Sequence, residues 1–253
     1  DPIGSRGLGD VYKRQALSMG GAIAIAAIFE SAGALLAGGD VVSTVAKGII
    51  APENMRTTAI FIFAMLSALL AAALWVNLAT WIGAPVSTTH SVVGGVMGAG
   101  IAAAGFAAVN WPTMYKIAAS WVISPVLGGA IAALFLWLIK SRIIYQSDKI
   151  SAAKKWVPFL VGIMGGAFAA YLALKGIKKI IKIDFSTALM IGLAIGVVIW
   201  LVMIPVIKKQ AEGLENRNKS LKILFGIPLV ISAALLSFAH GANDVANAVG
   251  PLA

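Results

Sequence analysis

The sequence contains no cysteine, only two histidines and few charged residues. The absence of cysteine excludes disulfide bonds, thiol nucleophiles and thiolate metal sites, although it leaves the redox compartment undetermined. Charged residues make up 12% of the chain, against about 25% in soluble domains. Hydrophobic residues make up 60% and the mean hydropathy is +0.92, so a soluble globular domain is excluded as well.

The chain contains long apolar runs with few charged residues. Seven can be marked, and most approach or exceed the roughly 20 residues that cross a hydrocarbon core about 30 Å thick. They lie at about residues 17–38, 58–79, 87–107, 114–139, 157–174, 186–207 and 223–240. The chain is therefore predicted to be an all-α integral membrane protein with about seven transmembrane helices.

Positive charge is concentrated between the apolar runs. The formal net charge is +10, and ten of the basic residues fall into two groups. These are Lys140, Arg142, Lys149, Lys154 and Lys155, followed by Lys208, Lys209, Arg217, Lys219 and Lys222. Clusters in this position are typical of cytoplasmic loops. No aromatic or basic reading face accompanies them, so nucleic acid is not predicted as a partner.

The first fifteen residues, DPIGSRGLGDVYKRQ, differ from the rest of the chain. They are polar, contain glycine and lack the apolar core of a signal peptide. Two interpretations stay open, a disordered N-terminal tail and a non-native leader joined to the reading frame. Residues 1–15 accordingly contribute nothing to the fold prediction.

The segment Gly241–Ala253 places an ionisable residue, Asp244, between Asn243 and Asn247 at membrane depth. A carboxylate there costs roughly 2.5–3.5 kcal/mol on insertion scales unless it has a partner or a function. One explanation is a helix cap or a lysine partner, but no lysine lies nearby in the sequence. The other is a cation site, because asparagine side chains and backbone carbonyls supply the hard oxygen ligands that Na⁺ favours.

A second polar stretch, Gly83–Ser91, contains three consecutive hydroxyl residues at positions 87–89. Pro85 disfavours helix at the residue before it, so a helix is predicted to begin just after Pro85. The hydroxyls, the free N–H groups of the first turn and the positive dipole end then form a cradle for a tetrahedral oxyanion. The alternative is an ordinary N-cap, which needs only one hydroxyl.

Asp244 repels an anion strongly in a low dielectric. A cation or a proton must therefore lie between them, or Asp244 must be neutral, and this requirement couples the anion to a second ion. Glu30 lies in the middle of the first apolar segment. It is either a buried hydrogen-bonding group or a group that carries protons or guides ions. His90 and His240 border the two polar stretches and are predicted to be hydrogen-bonding partners rather than ligands.

The two stretches together resemble the inorganic phosphate transporter family, the PiT-type symporters. The matching motifs are Gly241-Ala-Asn-Asp-Val-Ala-Asn-Ala248 and Pro85-Val-Ser-Thr-Thr-His-Ser91, supported by Ile25-Ala-Ala-Ile-Phe-Glu30 and Lys47-Gly-Ile-Ile50. The resemblance covers the chain from about residue 16 onward. It implies a secondary transporter in the cell membrane of a bacterium or archaeon. Two inverted repeats would each contribute an Asn-Asp motif and a Ser-Thr-Thr motif to a midplane site.

This resemblance divides the site residues into three sets. Phosphate would be contacted by Ser87, Thr88, Thr89, Asn243 and Asp244. The co-transported cation, Na⁺ or H⁺, would be bound or coupled by Asn243, Asp244, Asn247 and Glu30. A surrounding shell would consist of His90, Ser91 and His240. No cofactor and no metal beyond Na⁺ are implied, the lipid bilayer is a partner, and a homodimer stays open.

The sequence departs from the family pattern at both ends. The family's first Asn-Asp motif would precede Ala16, and its second Ser-Thr-Thr motif would follow Ala253. The domain prediction is therefore a leader (1–15), most of a first repeat (16–139), central helices with basic loops (140–222) and the start of a second repeat (223–253). The chain is expected to be a fragment that does not transport, which phosphate uptake by liposomes containing only this chain would contradict.

Two other functions stay open. A permease of the same architecture would carry another oxyanion such as sulfate, and competition by sulfate against phosphate uptake would separate the two. A membrane-embedded enzyme acting on phosphorylated lipids would need concentrated acidic or histidine residues. Of the ten acidic residues, only Glu30, Asp184 and Asp244 lie in or beside the apolar segments, and no nucleophile–base pair is visible. No enzyme is therefore predicted.

Overall fold

A computed structural model describes residues 17–50, 52–176 and 183–253, and the helical character predicted from the sequence holds across these ranges. The α-helices in them are α1 (Met19–Ala37), α2 (Gly39–Ser43), α3 (Thr58–Trp81), α4 (Thr88–Ala104), α5 (Trp111–Ile139), α6 (Lys149–Lys175), α7 (Phe185–Gln210), α8 (Asn218–Leu224) and α9 (Gly226–Val249). The seven predicted apolar segments correspond to α1, α3, α4, α5, α6, α7 and α9. The leader at 1–15 lies outside the described residues.

Six helices of the described chain are long and apolar enough to cross a membrane, and α4 is not among them. Its 17 residues span about 25 Å at 1.5 Å per residue, which is short of a hydrocarbon core about 30 Å thick. The helix is short because Ser87 caps its start and Gly105, with φ at 80°, ends it. The all-α membrane fold is confirmed, with six candidate spans where about seven were expected.

Both α6 and α7 extend beyond their apolar cores. The Asp148 carboxylate caps α6 by accepting a hydrogen bond from the Ser151 N–H at 3.0 Å, and this bond lowers the pKa of Asp148. Asp184 caps α7, and its hydrogen bond from the Thr187 hydroxyl lowers the pKa of Asp184. The sequence places residues 149–156 in a loop between apolar runs, but in the structure they are helix. Lysine is a good helix former, and hydropathy does not register this property.

The described chain divides into two compact units. Of the described residues, the first unit contains those before Glu30 and those within 127–238, and the second contains those within 30–126 and 239–253. Each unit has its own apolar core. The repeat boundaries expected from the family resemblance stay predictions.

The first unit depends on close packing of α6 against α7. Each helix carries a Gly-x-x-x-Gly pair, at positions 162 and 166 and at positions 192 and 196. A Cβ atom built on Gly166 would lie 2.6 Å from the carbonyl oxygen of Gly192, and one built on Gly192 would lie 2.7 Å from that of Gly166. Small residues that let two backbones touch are the usual contact between membrane helices.

The second unit packs α4 against α3 and against the segment that follows α2. Ile49 and Ile50 are completely buried, and the Ile49 carbonyl accepts a hydrogen bond from the Asn110 N–H at 2.8 Å. Gly95 of α4 lies against α3, since a Cβ atom built on it would be 2.8 Å from the Ala68 carbonyl oxygen. These contacts fix the position of α4 and hence of the hydroxyl residues at its start.

We expect Gly166→Val to lower the unfolding temperature of the chain in detergent, because the added side chain would press on the α7 backbone. Overpacking of this kind typically costs about 1–3 kcal/mol. Tryptophan fluorescence during a thermal ramp measures the change.

Gly128→Val is the matched control for this substitution. It makes the same chemical change within a helix, but a Cβ atom on Gly128 would meet nothing within 4 Å. Equal unfolding temperatures for the two variants would contradict the packing role of Gly166.

Candidate functional site

The Asn-Asp motif lies on a continuous helix. Residues 241–249 belong to α9, so the carbonyl groups of residues 241–245 accept intrahelical hydrogen bonds. The sequence predicts backbone carbonyls open to a cation, but the helix occupies those at the start of the motif. Side chains are therefore the main groups that remain to bind an ion.

Four polar side chains share one face of α9. His240, Asn243, Asp244 and Asn247 follow the spacing i, i+3, i+4 and i+7, which places them on one stripe of an α-helix. We call these four residues the polar face of α9. The flanking Ala242 and Ala246 are buried in the apolar packing on other faces.

His240 lies between two carboxylates. Its Nδ1 atom is 3.5 Å from Glu30 Oε1 on α1, and its Nε2 atom is 3.1 Å from Asp244 Oδ2. A neutral imidazole carries one N–H and can donate to only one of the two acids. Two acidic side chains thus stand against one imidazole, and this excess of acidic groups favours cation binding. The sequence analysis gave His240 a supporting place, and the structure brings it into contact with both predicted acidic residues.

Asn243 connects the two polar stretches of the sequence. Its Nδ2 group donates a hydrogen bond to Thr89 Oγ1 at 3.2 Å and another to Asp244 Oδ1 at 3.3 Å. Thr89 lies in the first turn of α4, where backbone N–H groups lack intrahelical partners. One amide group thus donates hydrogen bonds both to a hydroxyl predicted to contact the anion and to a carboxylate predicted to contact the cation.

The remaining residues of the Ser-Thr-Thr stretch divide between capping and the site. Ser87 is the N-cap of α4: its hydroxyl accepts from the His90 N–H at 3.3 Å, and its carbonyl accepts from the Ser91 hydroxyl at 2.8 Å. The N-cap explanation therefore holds for Ser87. The His90 ring packs against Trp121 with a centroid distance of 4.1 Å, a contact that the sequence analysis missed. Thr88 and Thr89 are half-buried at the start of the helix.

Asn247 is buried without a hydrogen-bond partner. Its side chain is 9% exposed, and neither its amide oxygen nor its amide nitrogen is bonded within the described chain. Leaving a buried polar group unsatisfied costs about 1–3 kcal/mol, so such a group calls for a ligand or an ordered water. An amide oxygen of this kind suits a hard cation.

Two glycines bring α9 against α1, and neither received a role in the sequence analysis. A Cβ atom built on Gly241 would overlap the Glu30 carbonyl, and one built on Gly38 would lie 2.7 Å from the Ala34 carbonyl oxygen and overlap Val245. Only the absence of a side chain at these positions lets α9 approach closely enough for His240 to reach Glu30. In the sequence, the feature that could have indicated this close approach is the glycine beside the polar motif.

We expect Gly241→Ala to lower the unfolding temperature and to separate His240 from Glu30, because the methyl group cannot fit beside the Glu30 backbone. Histidine ring NMR signals would report the altered surroundings of His240, and a thermal ramp would report the loss of stability.

Gly226→Ala is the control for Gly241→Ala. It lies on the same helix, and its added methyl group would meet nothing within 4 Å. If Gly241→Ala were as stable as Gly226→Ala and left the His240 signals unchanged, the close approach would not matter.

Helices of membrane-spanning length that carry a polar, acidic site within their apolar segments are typical of an ion-coupled membrane transport protein. Comparison with known proteins agrees with this class. The sequence profile of the Phosphate transporter family matches residues 5–253, and the chain belongs to this family. The match begins within the segment 1–15, whose nature stays a prediction.

Individual relatives give the same result. A relative from Helicobacter pylori strain J99, provisionally named a phosphate permease, is 52% identical over 249 residues, covering 98% of this chain and 47% of its own. One of the same provisional name from Thermococcus kodakarensis is 35% identical over 233 residues, covering 92% and 56%. The solved structure titled "The sodium-dependent phosphate transporter" superposes with a TM-score of 0.87 at 34% identity, covering 96% of this chain and 60% of that chain.

These matches confirm the family resemblance and the location in the cell membrane. They also favour a transporter over an enzyme, since the family and the solved neighbour are named for transport. The chain spans about half the length of the Helicobacter pylori relative. The roles assigned to individual site residues stay predictions.

Proposed function

We propose that the protein is a symporter that carries inorganic phosphate across the cell membrane together with a coupling cation. The observation that carries this proposal is the connected set of contacts from Thr89 through Asn243 and Asp244 to His240 and Glu30. Hydrogen-bond donors stand at one end of this set and acidic groups at the other. Family membership supports phosphate as the substrate.

Phosphate would bind at the start of α4. The hydroxyls of Thr88 and Thr89, the free N–H groups of the first turn and the helix dipole all favour a tetrahedral anion there. The Asn243 amide group, 3.2 Å from Thr89 Oγ1, would donate to the same anion. Charge-assisted hydrogen bonds of this type are roughly twice as strong as neutral ones.

The cation would bind along the polar face of α9. Asp244 contributes a carboxylate, and Asn247 contributes an amide oxygen with no partner in the described chain. We assign Na⁺ as the coupling ion because these are hard oxygen ligands and because the solved neighbour is titled sodium-dependent. H⁺ is the alternative, and the contacts of His240 with two carboxylates lie on the same face. Either ion would offset the repulsion between Asp244 and phosphate.

We expect Asp244→Asn to abolish cation-dependent phosphate uptake when the protein is expressed from its complete reading frame. The substitution keeps the size of the side chain and removes the charge that requires the cation. Uptake of radiolabelled phosphate, measured with and without Na⁺ and at two pH values, tests this expectation.

Asp148→Asn is the matched control, since it removes the same charge at a helix N-cap where asparagine caps as well as aspartate. Unchanged uptake and unchanged cation dependence in Asp244→Asn would contradict the role of Asp244. Competition by excess unlabelled sulfate identifies the substrate: phosphate uptake should persist, and its loss would favour a broader oxyanion permease.

A further inference from the structure

An apolar groove of about 300 Å³ opens in the first unit. It is lined by Val161, Gly165, Val198, Ile199, Val202, Met203 and Ile231, from α6, α7 and α9. Val198 and Val202 are 58% and 57% exposed. Because these helices have the composition of membrane spans, the exposed wall of the groove has the chemistry of a surface in contact with hydrocarbon. A groove without polar side chains suits a lipid acyl chain.

Two lysines lie on the same helical stripes as the groove. Lys154 precedes Val161 by seven residues on α6, and Lys209 follows Val202 by seven residues on α7. Seven residues turn an α-helix through nearly two full turns and advance it by about 10 Å. Each lysine therefore lies on the groove side of its helix, about 10 Å along the axis from the groove.

The two lysines also stand at the same level. A Cβ atom built on Gly162 would lie 2.8 Å from both the Gly196 carbonyl oxygen and Trp200 Cβ, and these contacts set the antiparallel register of α6 and α7. In this register residue 154, eight positions before Gly162, lies opposite residues 204–208, eight positions after Gly196 and Trp200, and Lys209 follows within one turn. Lys154 and Lys209 thus flank one end of the groove together.

Positive charge exceeds negative charge at this end. Glu212 follows Lys209 by three residues without forming an ion pair in the described chain, and Glu215 is paired with Arg217 at 2.8 Å. The Lys209 ammonium group has no ion pair or hydrogen bond within the described chain. No ion pair joins Lys154 to the exposed Asp148 carboxylate, and the two groups interact only through longer-range electrostatic attraction. Both ammonium groups are therefore available to an anion.

We propose that the groove and the lysines Lys154 and Lys209 form a binding site for an anionic phospholipid of the bilayer. The lipid phosphate lies between the two ammonium groups, and one acyl chain fills the groove. Charge selects the headgroup, since each cation near the membrane surface raises the affinity for an anionic lipid by about fivefold. Apolar contact alone would hold a neutral lipid equally well, so preference for an anionic lipid is the property that identifies the site.

Native mass spectrometry of the full chain in a neutral detergent tests the proposal. The protein is titrated with an equimolar mixture of phosphatidylglycerol and phosphatidylcholine that carry the same acyl chains. We expect the first phosphatidylglycerol to bind at least about fivefold more tightly than phosphatidylcholine. The double variant K154Q/K209Q should lose most of this preference, by about fivefold or more.

Neighbouring lysines provide the control. K155Q/K208Q removes the same charge from adjacent positions that point away from the groove stripes, and the preference should change less than twofold. Val202→Phe should fill the groove and weaken both lipids, while α7 stays folded because this side chain is exposed.

Three results would overturn the proposal. Equal losses in the two lysine double variants would mean a diffuse positive surface in place of a site. Absence of any preference in the unmodified chain would show that the site does not select an anionic lipid. Unchanged binding in Val202→Phe would show that the acyl chain does not occupy the groove.

Discussion

The carboxylate of Asp244 at membrane depth is the constraint on which the rest of the second unit depends. An isolated charge there is expensive, so its neighbours must supply positive charge or hydrogen bonds. The structure provides the His240 ring at 3.1 Å and the Asn243 amide at 3.3 Å. These neighbours lower the cost but leave a carboxylate that an approaching anion would meet. Under the proposed function, a mobile cation offsets the charge of Asp244 when phosphate binds.

Glycine provides the geometry that this electrostatic arrangement needs. Gly241 lets α9 touch the Glu30 backbone on α1, and only then can one histidine reach acids on both helices. The first unit uses the same means for a different purpose, because Gly166 and Gly192 bring two helix backbones into contact. Without water to drive helices together, membrane proteins depend on such close packing.

The sequence predicted what depends on local composition. The apolar runs predicted the helices. Pro85 with the hydroxyl residues predicted that a helix begins just after Pro85, and α4 begins at Thr88. Hydropathy alone did not indicate helix in the lysine-bearing first turns of α6. It also counted α4 as a span, although its 17 residues lie at the short end of the range that crosses a membrane. The family resemblance named Thr89 and Asn243 as site residues. Their contact joins residues 154 positions apart, and no local pattern encodes such a contact. The place of His240 between two acids and the backbone contact of Gly241 follow from the same tertiary packing.

The dependence of phosphate affinity on the coupling cation tests the account most directly. Equilibrium binding of phosphate to the purified protein, expressed from its complete reading frame, should be measured over a range of Na⁺ concentrations at fixed pH. The account predicts that the apparent Kd for phosphate falls steadily as Na⁺ rises, because the ion offsets the charge of Asp244. A Kd that stays constant across Na⁺ concentrations, and across pH in the absence of Na⁺, would contradict it.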